Sequence, residues 1–191
     1  MRTDDGYMHA WSIQAEIGEP EWQAMHADMI LVLRAASRQL ELDRTGDDLA
    51  VLRGPEGLGR LQLDANQIAF NGNAFLGQAG DAFSVERRAR HNGIARVGRG
   101  GGHRTVRRCD TGGHPYDVAV CAVLLVALRH LGDGVRLGTS GSLRSGWGRA
   151  AALVRATIGE TGRLVQLENG ILRWIDAPAH DADGFVRSSA S

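Results

Sequence analysis

Cys109, His114, Asp117 and Ser140 are residue types from which a small covalent hydrolase could be assembled. A thiol or hydroxyl becomes a useful nucleophile when an imidazole takes its proton and a carboxylate orients that imidazole. The first three stand together in "CDTGGHPYD", just ahead of an apolar run, and Ser140 sits in "GTSGS". That turn approaches the G-x-S-x-G pattern of a nucleophile elbow, but Ser142 stands where the pattern needs its last glycine. Nearness along the chain does not by itself make a relay. A hydrolase-like enzyme on these groups is therefore the alternative reading, not the leading one.

A second chemistry lies directly upstream. From position 87 to 108 the chain carries eight arginines, Arg87, Arg88, Arg90, Arg96, Arg99, Arg104, Arg107 and Arg108, and no acid. Guanidinium groups fork onto phosphate oxygens, and the release of counterions drives such binding whatever the base sequence. Glycines at 93, 98, 100, 101 and 102 loosen this backbone, and no aromatic residue is present to stack on bases. The plain alternative is a solvated loop, or arginines paired with the protein's own acids.

Two turns that lead into helices, "TGGHP" and "LGTSGSLRSGW", could hold an anion on free backbone N–H groups. Neither has a dinucleotide or P-loop spacing, and small hydroxyl residues before a helix usually serve as caps. His103, Cys109, His114 and Cys121 are separated by six, five and seven positions, which misses the close pairs of zinc knuckles. Cys121 falls inside an apolar segment, where cysteine usually packs. No metal and no cofactor is expected from these spacings.

Composition removes further classes. All 22 basic residues are arginine, so no lysine exists to form a Schiff base, to hold phosphates in a Walker A loop, or to serve a Ser-x-x-Lys hydrolase. The 22 acids balance them to a net charge of zero, so attraction to a polyanion must be local. Two cysteines are too few for a disulfide scaffold. The apolar run from Val118 to Leu128 is too short to span a bilayer, and the first twenty residues lack a secretory pattern. A soluble, cytoplasmic protein without membrane contact is expected.

The elements that must position these residues can be sketched from periodicity. "YMHAWSIQAEI" alternates, with Tyr7, His9, Trp11, Ile13, Ala15 and Ile17 on one face of a strand. Pro20 suits a helix's first turn, and Trp22, Met25, Met29 and Leu33 continue at helical spacing to about Gln39. Short strands follow at 49–53, 58–63, 67–72 and 81–88. Pro115 opens a second helix, to about Leu131, that is apolar nearly all round and so belongs in the centre of the core. A strand at 134–138 and a helix at 147–158 come next. "RLVQLENGILRWI" reads as a β-hairpin about Asn169-Gly170, the pair favoured in a type I′ turn. Strands and helices mix without a regular βαβ rhythm. The predicted class is α+β: a mainly antiparallel sheet with about three helices, one central and buried, and a C-terminal hairpin. One domain is expected over 7–158, with a Gly/Arg-rich insert at 87–108, the hairpin at 163–176 and a disordered tail at 177–191.

The segment "CDTGGHPYDVAVCAVLLVALRHLGDGVRLGTSGS" resembles a family of bacterial and phage-encoded proteins of no established function. In that family a Cys-Lys-Thr-x-x-Lys-Pro-Tyr-Asp run opens an apolar helix ending in His-Leu/Phe-Gly, followed by a short strand and a Ser-Ser-Asp-Gly turn. Cys109, Thr111, Pro115, Tyr116, Asp117, His130, Gly132 and Ser140 fall on the pattern, whereas Asp110, His114 and Gly141 replace its lysines and turn aspartate. The likeness gives "PYD" a structural role: Pro115 sets the helix start, Asp117 accepts N–H groups there, Tyr116 anchors the turn to the sheet, and Thr111 precedes them. The leading expectation is a non-enzymatic binding protein of phage or bacterial origin that contacts nucleic acid or another polyanion through the arginines at 87–108. A host or phage protein as partner, bound as by an adaptor, is the third reading.

Overall fold

The outer residues of the first strand alternate with buried ones because a central strand must satisfy two neighbours and one apolar layer at once. In the computed structural model, β1 (Met8–Gln14) buries His9, Trp11 and Ile13. Residues 8–14, 16–42, 51–88, 95–97, 103–139, 146–159, 163–166 and 171–175 are described. Ser140, Arg90, Arg99, the Asn169-Gly170 turn and the tail from 177 lie outside them.

Six strands form the main sheet: β1, β6 (Ala95–Val97), β7 (His103–Asp110), β8 (Val135–Thr139), β9 (Arg163–Gln166) and β10 (Ile171–Ile175). Their order is β6-β7-β1-β8-β10-β9, and every pairing is antiparallel. A smaller sheet gathers β2 (Leu52–Arg53), β3 (Gln62–Asp64) and β5 (Phe83–Glu86) about β4 (Gln67–Gly72). With three α-helices among the described residues, the α+β class is as predicted.

The helices follow their apolar spacing. α1 (Glu19–Leu42) places Glu19 and Glu21 at its positive end and buries Trp22, Met25, Met29, Leu33, Ala36 and Leu40. Trp22 donates its indole N–H to the Ala65 carbonyl at 2.7 Å, which ties this helix to the β3–β4 turn. In α2 (Asp117–Leu131), 13 of 15 residues are buried, so the reading of a central helix holds. The two that are not buried, Arg129 and His130, meet Asp28 of α1 at 2.8 and 2.9 Å. α3 (Gly148–Ile158) packs on both α1 and α2.

Pairing fixes which side chains share a face of the main sheet. His9 stands opposite Cys109 and Thr139, and Trp11 opposite Arg107 and Leu137. The helices and the smaller sheet meet that face, through the α2 contacts with β8 and β10 and through Trp11 against Phe83. The alternate residues lie on the other face: Ala10, Ser12 and Gln14 from β1, Arg104, Val106 and Arg108 from β7, Arg136 from β8, and Arg173 from β10. The arginine-rich stretch has no apolar period, yet its described residues 95–97 and 103–108 are strand. Its last six residues belong to β7, hydrogen bonded to β6 on one side and β1 on the other. Backbone pairing, which charge does not forbid, decides the conformation there.

Candidate functional site

At the junction of β7 and α2 the backbone turns sharply at Gly112 and Gly113, with φ of 57° and 71°, a left-handed conformation that glycine adopts without strain. This turn carries Thr111 back over the first residue of α2. The Thr111 hydroxyl donates to Asp117 Oδ1 at 2.6 Å. His9, from the middle of the sheet, brings its Nε2 to the same oxygen at 2.7 Å. One helical turn on, the Cys121 thiol lies 3.8 Å from Asp117 Oδ2 and 3.8 Å from His9 Nε2.

All four side chains are buried, His9 and Cys121 completely. The other wall is the start of the third helix: Trp147 meets the His9 ring edge-on with centroids 5.3 Å apart. Gly146 passes so close that a Cβ there would fall 2.0 Å from Asp117 Oδ2 and 3.3 Å from Cys121 Sγ. His9 Nδ1 and Trp147 Nε1 are buried without a hydrogen-bond partner among the described residues. The imidazole thus makes its polar contacts through Nε2 alone.

The hydrolase candidates are not gathered in this way. Asp117 joins His9 and not His114, whose backbone N–H caps the turn on the Thr111 carbonyl at 3.0 Å. Cys109 gives its thiol to the Asp81 carbonyl at 3.4 Å, beside the Tyr116 hydroxyl, which donates to the same oxygen at 3.0 Å. A relay needs the acid on one imidazole nitrogen and the nucleophile on the other. Here carboxylate and thiol share Nε2, so the cluster does not form one. Burial, then the nearby Asp117, pushes the Cys121 thiol well above its ordinary value.

Tyr116 is buried with its hydroxyl on the Asp81 carbonyl, and burial together with Cys109 raises its phenol. Asp117 differs from expectation. Its carboxylate goes to His9 and Thr111, and the N-cap residue, Tyr116, makes no side-chain cap hydrogen bond.

Cys109 carries a pH prediction. Burial first and Asp81 second push its thiol from 9.0 up to about 12. A group whose pKa is raised on folding stabilises the fold fully below its unfolded value, and that contribution fades as pH climbs through the folded one. The urea midpoint should therefore fall between pH 9 and pH 12. A Cys109→Ala chain should show a shallower fall across the same window, measured by tryptophan fluorescence.

The arginines divide by face. Arg107, on the inner face, pairs with Glu86 at 3.0 Å, while Arg87 pairs with Glu19. Arg88 meets Glu16 at 3.0 Å on the surface. Arg104 lies on the outer face and donates to the carbonyls of Asp133 at 2.7 Å and Gly134 at 3.2 Å. Arg108 and Arg136 are exposed on that same face and have no acid at ion-pair distance among the described residues. Arg173, also exposed, reaches Asp133 only at 3.7 Å. Arg96 pairs with Arg104 across the β6–β7 ladder.

The molecule so defined is an α+β protein with a helix-covered sheet face, an arginine-bearing sheet face and a buried polar cluster beneath the first. Comparison with family models, curated proteins and solved structures found no match. Among the described residues no helix is long and apolar enough to cross a membrane.

Proposed function

We propose that this is a non-enzymatic binding protein, of phage or bacterial origin, that grips a nucleic-acid backbone with the outer face of its main sheet. The observation that carries this reading is the set of Arg104, Arg108, Arg136 and Arg173 on one face, drawn from three strands far apart in sequence. The acid on that face of β7, Asp110, already accepts the Gly112 N–H at 2.9 Å. Strands stand about 4.8 Å apart, so arginines on β7, β8 and β10 spread over roughly 14 Å. Duplex DNA presents a charge about every 1.7 Å along its axis, so such a face meets several phosphates at once.

The reading moves the contact from the whole 87–108 stretch to its outward half. Arg87, Arg88 and Arg107 serve the protein's own acids, whereas Arg104 and Arg108 remain on the outer face with Arg136 and Arg173. Between its cations the face has Ala10, Ser12, Gln14, Val106 and Gly138, and no described aromatic. Contact is then to phosphates and not to stacked bases, and it discriminates weakly between sequences.

Fluorescence anisotropy with short duplex and single-stranded DNA and RNA tests this. Four phosphate contacts predict a salt slope near −3.6, which is roughly a hundredfold loss of affinity between about 50 and 200 mM salt. Changing Arg104, Arg108, Arg136 and Arg173 together to alanine should flatten that slope and abolish binding at the higher salt. An Arg87→Ala, Arg107→Ala chain should keep the slope. No binding at the lower salt, or an unchanged slope in the fourfold variant, overturns the reading.

A further inference from the structure

The geometry points to a transition-metal site of the zinc class formed by His9, Asp117 and Cys121. It is independent of the arginine face. Its donors are an imidazole nitrogen, a carboxylate oxygen and a thiol sulfur, and their ligand atoms all lie within 4.8 Å of one another. That mixture suits a borderline or soft divalent ion, whereas calcium and magnesium favour all-oxygen sets.

The elements are placed for it. Asp117 and Cys121 are four apart on α2 and so share one helix face, and β1 delivers His9 from the opposite layer. Tetrahedral ligands at about 2.0–2.3 Å from a metal stand roughly 3.3–3.7 Å from one another. The Cys121 sulfur is already close to that, at 3.8 Å from both His9 Nε2 and Asp117 Oδ2. The 2.7 Å hydrogen bond between His9 Nε2 and Asp117 Oδ1 must give way as Nε2 turns to an ion held on Oδ2.

Asp117 has an oxygen to spare. Thr111 holds Oδ1 at 2.6 Å, leaving Oδ2, which faces Cys121, for the ion; a hydroxyl on the second oxygen is how proteins orient a ligating carboxylate. His9 is fully buried and its Nδ1 has no hydrogen-bond partner among the described residues, so that nitrogen can take the proton that Nε2 gives up.

The balance closes without oxidant or reductant. One divalent ion enters and bonds to sulfur, nitrogen and oxygen. The Cys121 S–H bond breaks and its proton goes to solvent. The imidazole proton moves from Nε2 to Nδ1. A thiolate and a carboxylate then neutralise the two positive charges in a water-poor site, and a fourth coordination position is left.

Cobalt(II) serves as the probe on the intact chain, first treated with chelator and then freed of it. One equivalent should produce a thiolate-to-cobalt charge-transfer band and tetrahedral visible bands, both lost when zinc is added. About one proton should be released per ion at neutral pH, read with an indicator dye. Cys121→Ser should remove the charge-transfer band, and Cys109→Ser should keep it. Zinc at a hundred times its Kd should raise the urea midpoint of the natural chain, as binding to the folded state alone requires. Absence of the charge-transfer band in the natural chain overturns the proposal, as does its persistence in Cys121→Ser.

Discussion

Asp117→Ala should unfold at markedly lower urea than the natural chain, by about 3–5 kcal/mol of stability. Removing one partner of a buried polar pair leaves the other without compensation, and that is where the large losses arise. Here two contacts are lost at once, since His9 at 2.7 Å and the Thr111 hydroxyl at 2.6 Å both meet Oδ1. Neither can turn to water, because both are buried at the junction of the main sheet, α2 and the Gly146–Trp147 segment. Asp117→Asn keeps an oxygen acceptor and similar volume, so its loss should be smaller, about 1–2 kcal/mol. The comparison separates acceptor chemistry from shape. Equal losses in the two variants, or a loss under about 1 kcal/mol in the alanine chain, would show that the cluster does not hold this junction together.

The second large effect belongs to the centre of α2. Leu124 is fully buried in a helix with both sheet and helices around it. Leu124→Ala removes its methyl groups from a site where the neighbours are already fixed on several sides, so the cavity collapses poorly. A loss of about 2–5 kcal/mol is expected, growing with the volume left empty. Leu31 of α1 provides the control, since it is 46% exposed and its replacement by alanine should shift stability by no more than about 0.5 kcal/mol. Chemical denaturation of both chains under one buffer decides it. A small loss at Leu124 would mean that the core of α2 repacks freely.

Elements whose period is set by burial could be read from the chain. The alternation of His9, Trp11 and Ile13, the helical spacing from Trp22 to Leu33 and the all-apolar face of α2 each follow one local rule, and each element stands where that rule puts it. Boundaries moved by a few residues, as at β3, expected over 58–63 and found at Gln62–Asp64. What local rules do not give is pairing between distant segments. β7 was hidden because Arg104, Arg107 and Arg108 break every apolar period; its place between β6 and β1 comes from partners far away in the chain.

The polar cluster was half legible for the same reason. Asp117 drew notice because it stands at the first turn of an apolar helix. Its true partner lies 108 positions earlier, and no spacing rule reaches so far. One signal was present. His9 is a titratable residue on an otherwise apolar face of β1, and Cys121 interrupts the aliphatic run of α2. A polar residue out of keeping with each of two buried faces suggests that the faces meet there.

The place of β1 also sets a timetable for synthesis. This strand is the first described one but sits in the interior of the sheet, and its two neighbours are at 104–110 and 135–139. At translation rates of about 5–20 residues per second, β1 waits roughly 5–20 seconds before β7 emerges, and longer for β8. During that interval both of its hydrogen-bonding edges are without their final partners. Unpaired strand edges of this kind make a nascent chain prone to aggregation, and slow codons before β8 would lengthen its exposure instead of aiding it.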